Sequence, residues 1–485
     1  MLSRRRMLLG GCALAGTALL GSKRPVIGQS LGWRADLPAS PVPSPNAGVV
    51  SLSLRAAERM VFLPAFGGHS LPLWTFSEDS WLPVIRVPFG AVLEVDFENA
   101  LPRDGEYATI HWHGIRLPND QDGVPYLVQD PVLPGEAYHY RFIPPDTGTF
   151  FFHTHCNTAE HLGRGLVGIL IVEGDETEPY DADELLVLRD WSVDLTSGMF
   201  RAFTTARGAA DAGTLGEVRT VNGVVDPEIA LPGKADCRLR ILNVDPTRIM
   251  EIGIDGADAA VVAIDGIAVP PFPLDHWPLG PGMRIDVVIR TPSAGAARLI
   301  DHGAEPAAAL ARLVATGPAL RAGRFDPAPL RAGRIPTPDP ARAETVEFIL
   351  ASADVASFAS GDPWRAILGE LCLSGNGFWS IDEQMWPSAL GSRLPRPLAQ
   401  LRLGGTYRLV IRNQSDILHP THLHGFSLHM RAANGMPSHY RDTVLVQPHG
   451  VVEGFFIADN PGSWMIHCHV AEHQETGMMG YFTVA

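Results

Sequence analysis

The sequence predicts an all-β chain of three β-sandwich or barrel domains. Three observations carry this. Gly (49) and Pro (41) are abundant, while charged residues are only 19 %, a mix that suits many short strands joined by turns. Stretches such as Val92-Leu-Glu-Val-Asp-Phe97 and Cys237-Arg-Leu-Arg-Ile241 alternate apolar and polar residues, and Tyr407-Arg-Leu-Val-Ile411 does so less strictly. That period puts one face of a strand in a core and the other towards solvent. Finally, the alternating frame occurs three times, each copy running into an asparagine: Asn99, Asn243 and Asn413. The length of 485 residues agrees with about three domains of roughly 150 residues.

The elements follow in chain order. Ser3-Arg-Arg-Arg-Met-Leu-Leu9 opens an apolar stretch reaching about Leu20. It is too short to cross a bilayer comfortably. It reads as a signal of the twin-arginine type over residues 1–29. Removing it takes away Arg4, Arg5, Arg6, Lys23 and Arg24, so the formal charge moves from −15 to −20. An acidic chain without basic runs is a poor nucleic-acid binder. No later stretch is apolar enough for a membrane span. A monomer, exported to the periplasm or secreted, is expected.

The first domain is placed at 49–173, the second at 183–315 and the third at 345–485. Residues 316–344 are rich in Ala, Pro and Arg and contain the repeat Leu320-Arg-Ala-Gly-Arg324 and Leu330-Arg-Ala-Gly-Arg334. This composition reads as a semi-rigid linker over a surface.

Chemistry concentrates in the outer domains. His111-Trp-His-Gly114 and His153-Thr-His155 in the first match His422-Leu-His-Gly425 and His467-Cys-His469 in the third. The offsets are 311 residues (His111 to His422) and 314 (His153 to His467), which is duplication rather than coincidence. The middle copy lacks His-x-His and reads as a spacer. Ten of the 18 His fall in windows 111–113, 153–155, 419–424 and 467–473, only 19 residues in all. Isolated histidines are usually hydrogen-bonded core or surface residues; four clusters at ligand spacing are not explained that way.

On a strand, residues i and i+2 face the same way. His467 and His469 therefore share a face, and Cys468 points to the other. One peptide can attach two metal sites. A Cys, two His and a weak Met describe a blue-copper electron-transfer site; Cys468, His419, His473 and Met478 supply that set. The eight remaining His, without thiol or carboxylate, suit copper, with zinc and iron as alternatives. The clusters match none of the usual zinc Cys/His spacings.

In these strings, with His419-Pro-Thr-His-Leu-His-Gly425 and His467-Cys-His-Val-Ala-Glu-His-Gln-Glu-Thr-Gly-Met478, the sequence resembles the multicopper oxidases, most closely the three-domain bacterial laccase-like and copper-tolerance types. The resemblance implies three cupredoxin-like Greek-key domains and four copper ions. It assigns His419, Cys468, His473 and Met478 to type 1 copper, and His111 and His422 to type 2. One type 3 copper would take His113, His153 and His469, the other His155, His424 and His467. A reducing substrate would give single electrons at the type 1 site, and dioxygen would be reduced to water at the trinuclear cluster between domains 1 and 3. Asp122 matches a family acid and is expected to help deliver protons; the plainer reading is a cap on the Asp-Gly turn.

The position after the last His, acidic in many relatives, is Gln474 here, and Glu475 is expected to point elsewhere. Glu472 reads as a support of the site or a solvated helix residue, and His161 as a relic or surface residue. Cys156, Cys237 and Cys372 allow one disulfide or three buried thiols. Phenols and aromatic amines are the first substrate class. Cu(I) or Fe(II) is the alternative, weakened by scattered Met residues. A copper-free scaffold and a nitrite reductase of this fold are disfavoured by the complete ligand set.

Overall fold

The computed structural model describes residues 36–43, 47–353, 378–386, 394–433 and 436–485. The expected signal segment, Cys12 and Cys372 lie outside them. Strands dominate. The first pair of sheets is four-stranded each. In one, Val49–Phe62 runs parallel to Val92–Ala100, flanked by Ser70–Thr75 and Ala137–Phe142. In the other, Gly148–His153 lies between His111–His113 and Val167–Glu173, with Val84–Pro88 at the edge. Trp74, Trp112, Phe97 and Phe152 fill the space between. The next two sheets have six and five strands, from Ala182–Trp191 to Ala308–Thr316, around a core including Leu239, Ile285 and Val287. The last two, also six and five strands, lie between Glu344–Ala353 and Met479–Val484.

The repeated asparagine has a structural reason. Asn99, Asn243 and Asn413 are all buried. Each accepts the main-chain N–H two residues on: from Leu101 at 3.0 Å, Asp245 at 3.0 Å and Ser415 at 2.8 Å. Each amide also donates to two or more loop carbonyls, as Asn99 does to Glu106 and Val132. One side chain thus satisfies a buried turn where the ladder ends, which backbone groups require.

Residues 317–339 carry no strand, yet they are docked. Leu330 is buried whereas Leu320, its counterpart in the short repeat, is exposed. Tyr180 and Thr177 donate to the carbonyls of Ala328 and Pro329, and Arg321 pairs with Asp181 at 2.7 Å. The linker is an adhering strap. Among the described residues no helix is long and apolar enough to cross a membrane.

Candidate metal centre

Two antiparallel strands build the centre. His419–Leu423 pairs with Gly462–Cys468 in the register Thr421↔Cys468 and His422↔His467. The alternation places Cys468 on one face of its strand and His467 on the other, as the period of two requires.

On the first face, Cys468 Sγ lies 3.5 Å from His473 Nδ1 and 3.6 Å from His419 Nδ1, with the two nitrogens 3.2 Å apart. The outer ring nitrogens are held elsewhere. His419 Nε2 meets Ser415 Oγ at 2.9 Å, and His473 Nε2–H donates to the Asp211 carbonyl at 2.6 Å. Both inner nitrogens are thereby left to a common partner. Met478 is fully buried beside Cys468, whose N–H donates to the Met478 carbonyl at 3.1 Å. The Trp379 ring packs 4.8 Å from His419 and 4.6 Å from His473. Burial holds the Cys468 thiol above its ordinary range, and pushes His473 down to about 4 against the pull of the Asp211 carbonyl. A bound cation is what would favour the thiolate here.

On the second face, eight histidines meet, four from each outer domain. The donor atoms of His155, His424 and His467 lie within 4.8 Å of one another, as do those of His111, His113 and His153, and those of His111, His422 and His424. His467 Nε2 is 3.3 Å from His155 Nε2 and 3.1 Å from His424 Nε2. The His469 ring centres 4.9 Å from His113 and 5.4 Å from His153. Outward nitrogens are again committed. His111 and His422 donate through Nδ1 to the carbonyls of Asp122 and Asp442, both at 2.9 Å, and His153 and His467 donate to the carbonyls of Thr154 and Cys468. The inward nitrogens of His111, His113, His153 and His422, and both of His469, find no partner among the described residues. Burial and the neighbouring rings push His113, His153, His155, His424, His467 and His469 well below their ordinary range. Neutral imidazoles with converging lone pairs repel one another unless a cation lies between them. The donor set fits copper.

Asp122 is buried at this cluster. Its carboxylate accepts from His424 Nδ1 at 2.8 Å and lies 3.2 Å from His111 Nδ1. Gly123, at φ +77°, lets the turn approach, because a Cβ there would sit 1.8 Å from the Ile110 carbonyl oxygen. A second carboxylate went unread in the sequence. Asp442 accepts from His113 Nε2 at 3.1 Å and lies 3.5 Å from His422 Nδ1. Its only sequence signal is a buried-type Asp inside the strand-like Arg441-Asp-Thr-Val-Leu-Val446.

The remaining expectations divide. The spacer reading of the middle domain is too narrow: Asp211 reaches His473 from it. Glu472 is a buried support, accepting from Thr205 N at 2.8 Å and Thr214 Oγ1 at 2.9 Å, which ties the segment around the short helix Ala206–Ala210 to His473. Glu475 does not point away. It accepts from Ala159 N at 2.7 Å and, with Gln474, lines a cavity of about 340 Å³ that reaches His155. Burial pushes it up to about 7. His161 is fully buried, not a surface residue. Cys156 and Cys237 are buried free thiols.

Models described as multicopper oxidase match residues 64–177, 172–298 and 377–485. The multicopper oxidase MmcO of Mycobacterium tuberculosis is 30 % identical over 517 residues, covering 98 % of this chain and 95 % of that one. Laccase-2 of Botryotinia fuckeliana is 26 % identical, covering 90 % and 83 %. Among solved structures, a multi-copper oxidase from Pseudomonas thermotolerans superposes with a TM-score of 0.77 at 35 % identity, covering 90 % of this chain and all of that one.

A three-domain, cupredoxin-like architecture with histidine clusters between its outer domains defines a copper-dependent oxidase. The chain belongs to the multicopper oxidase family. It is an oxidoreductase that couples oxidation of reducing substrates to reduction of dioxygen.

Proposed function

We propose that the chain holds four copper ions: one at His419, Cys468, His473 and Met478, one at His111 and His422, and a pair at His113, His153, His469 and His155, His424, His467. The observation that carries this is the two-sided strand at Cys468, which joins the two donor sets covalently through adjacent residues. Copper, when bound, supplies the one-electron redox chemistry.

The chain's own residues do the rest. Asp211 and Ser415 hold the outer nitrogens of His473 and His419, fixing both rings. The Cys468 side chain and its bonds to His467 and His469 bridge the sets. Asp122 keeps the proton of His424 on Nδ1, so Nε2 faces inward. Reducing dioxygen to water consumes four protons per molecule, and we assign part of their delivery to Asp122, whose buried carboxylate lies beside His424 and His111. In Asp122→Asn, turnover should fall about 10- to 100-fold with copper content kept. Full turnover at normal copper content would remove the proton role.

For the electron donor we favour phenols and aromatic amines, in line with the laccase names among the relatives. One observation favours a metal-ion donor as second reading: Asp211, whose own carbonyl accepts from His473, is exposed, so it brings a carboxylate to the surface beside that ligand. Copper counted per chain and steady-state rates on a phenol and on Cu(I) decide. Four coppers and measurable phenol turnover are expected. A negligible phenol rate beside fast Cu(I) turnover would establish the second reading. The twin-arginine-type segment supports export, and we take the protein to act as a monomer in the periplasm or outside the cell.

A further inference from the structure

Arg284 lies in the strand Arg284–Arg290 of the middle domain and is fully buried. All five of its N–H donors are used. Nη1 donates to Asp442 Oδ1 at 2.9 Å and to the Gly282 carbonyl at 3.0 Å. Nη2 donates to Asp442 Oδ2 at 2.7 Å and to the Asp265 carbonyl at 2.9 Å, and Nε donates to the Thr149 carbonyl at 3.3 Å. Thr149 belongs to the strand that ends in His153. Asp442 directly follows the strand His439–Arg441 of the third sheet system, and its carbonyl accepts from Leu423 N at 2.9 Å. One guanidinium therefore ties together all three sheet systems at the histidine cluster. Only the planar fork of arginine matches a carboxylate with two parallel bonds and still serves three carbonyls.

The other end of this contact is metal chemistry. Asp442 Oδ1 accepts from His113 Nε2, which leaves Nδ1 as the inward nitrogen. Thr443 Oγ1 donates to the same oxygen at 2.8 Å and lies 3.2 Å from His422 Nδ1. The Arg284–Asp442 pair rests on Gly114, at φ +84°; a Cβ there would lie 2.4 Å from Arg284 Nη2 and 2.5 Å from Asp442 Oδ2. The glycine that follows His113 is thus a seat for the pair.

We infer that Arg284 of the middle domain is a positioning residue for the trinuclear site, fixing Asp442 so that His113 and His422 present the correct nitrogens, and that the site assigned to type 2 copper is the first to fail without it. This rests on the four-copper reading. His422 Nδ1 donates to the Asp442 main-chain carbonyl at 2.9 Å and lies 3.5 Å from its carboxylate, so a shifted Asp442 disorients one of only two protein ligands assigned to that site.

The test compares Arg284→Met and Arg284→Lys with Arg238→Met, all loaded with Cu(II). Arg238 is an equally buried arginine, paired with Asp175 and Asp286 and touching none of the histidines. Copper per chain and the paramagnetic resonance signals of type 1 and type 2 copper are read on soluble protein. Arg284→Met should lose about 10-fold or more in type 2 affinity, with the type 2 signal falling relative to type 1 and the blue absorption of the Cys468 site unchanged. Arg284→Lys keeps the charge without the fork and should show a smaller drop in the same ratio; it carries the test where Arg284→Met does not fold. Arg238→Met should lower thermal stability and leave the ratio unchanged. An unchanged ratio in the Arg284 variants, or an equal fall in Arg238→Met, overturns the inference. Fewer than four coppers in the unaltered protein would instead overturn the reading beneath it.

Discussion

The first and third domains place the same structural elements around very different interiors. In the third, the strand ending at Cys468 leads into the short helix Ala471–Glu475, and Cys468, His419 and His473 turn their donor atoms towards one point. In the first, the strand ending at His153 leads into the helix Thr158–Arg164. There Thr154 stands where Cys468 does, and its Oγ1 lies 2.8 Å from His161 Nδ1. His161 Nε2–H donates to Glu106 at 2.9 Å, so both ring nitrogens are occupied. The offset that maps His422 to His111 maps His419 to Ala108. One copy leaves inward nitrogens for a cation; the other closes the same space with hydrogen bonds. The difference teaches that the framework does not make a metal site. A soft thiolate and a second free imidazole do.

The strongest way to break the comparison is Cys468→Ser, which gives the third domain the first domain's kind of side chain. The blue absorption should vanish, copper should fall by about one per chain, and oxidase turnover should drop by more than the ~100-fold typical of lost outer contacts. Retained turnover on a phenol would show that electrons enter by another path.

The converse exchange sharpens it. Thr154→Cys gives the first domain a thiol but no second free imidazole, since Ala108 holds that place. No second blue band should appear, and copper per chain should not rise. Losing the buried hydroxyl contact to His161 should cost about 1 kcal/mol, read as a fall of a few degrees in melting temperature. A new blue band would show that His161 can abandon Glu106 for a metal.

Much of this was legible in the chain. The alternating strands Val92–Phe97, Cys237–Ile241 and Tyr407–Ile411 lie within Val92–Ala100, Asp236–Asn243 and Thr406–Asn413, but the polar face of the middle one does not meet solvent: Arg238 and Arg240 are buried on the carboxylates of Asp175, Asp183 and Asp286. The histidine strings were readable because i, i+2 spacing on a strand is local. What escaped were partners set by tertiary contact. The Asp211 carbonyl has no side-chain signature at all. Asp442 meets His113 across 329 residues of sequence, and Arg284 meets Asp442 across 158. Glu475 carries no local signal of its place, because the cavity wall it joins is built partly by the other domain's Asn157 and Thr158.

The two helices that follow these strands are also anchored differently, and the smallest prediction tests that. The third-domain helix is held through Glu472 by the backbone and side chain of the Thr205–Thr214 segment. The first-domain helix is held by Glu160, which accepts from Arg103 at 2.6 and 2.7 Å and from Arg164 at 2.6 Å. Burial alone would raise the Glu160 carboxyl, but the two guanidinium contacts outweigh it and bring it down to about 2. A folded-state value below the unfolded one means that the charged form is favoured by folding. The contribution is therefore fully present above about pH 4.5 and is lost as the pH falls through about 2. Arg103 is 45 % exposed, so solvent screening cuts the stabilisation to about 1 kcal/mol. Glu160→Gln should lower the melting temperature by a few degrees at pH 7 and by progressively less towards pH 2. Blue absorption and copper content should stay unchanged throughout, because this helix, unlike its counterpart, carries no residue of the metal centre. A loss of copper in Glu160→Gln would mean that the first domain's closed site still supports the working one across the contact from Glu475 to Ala159.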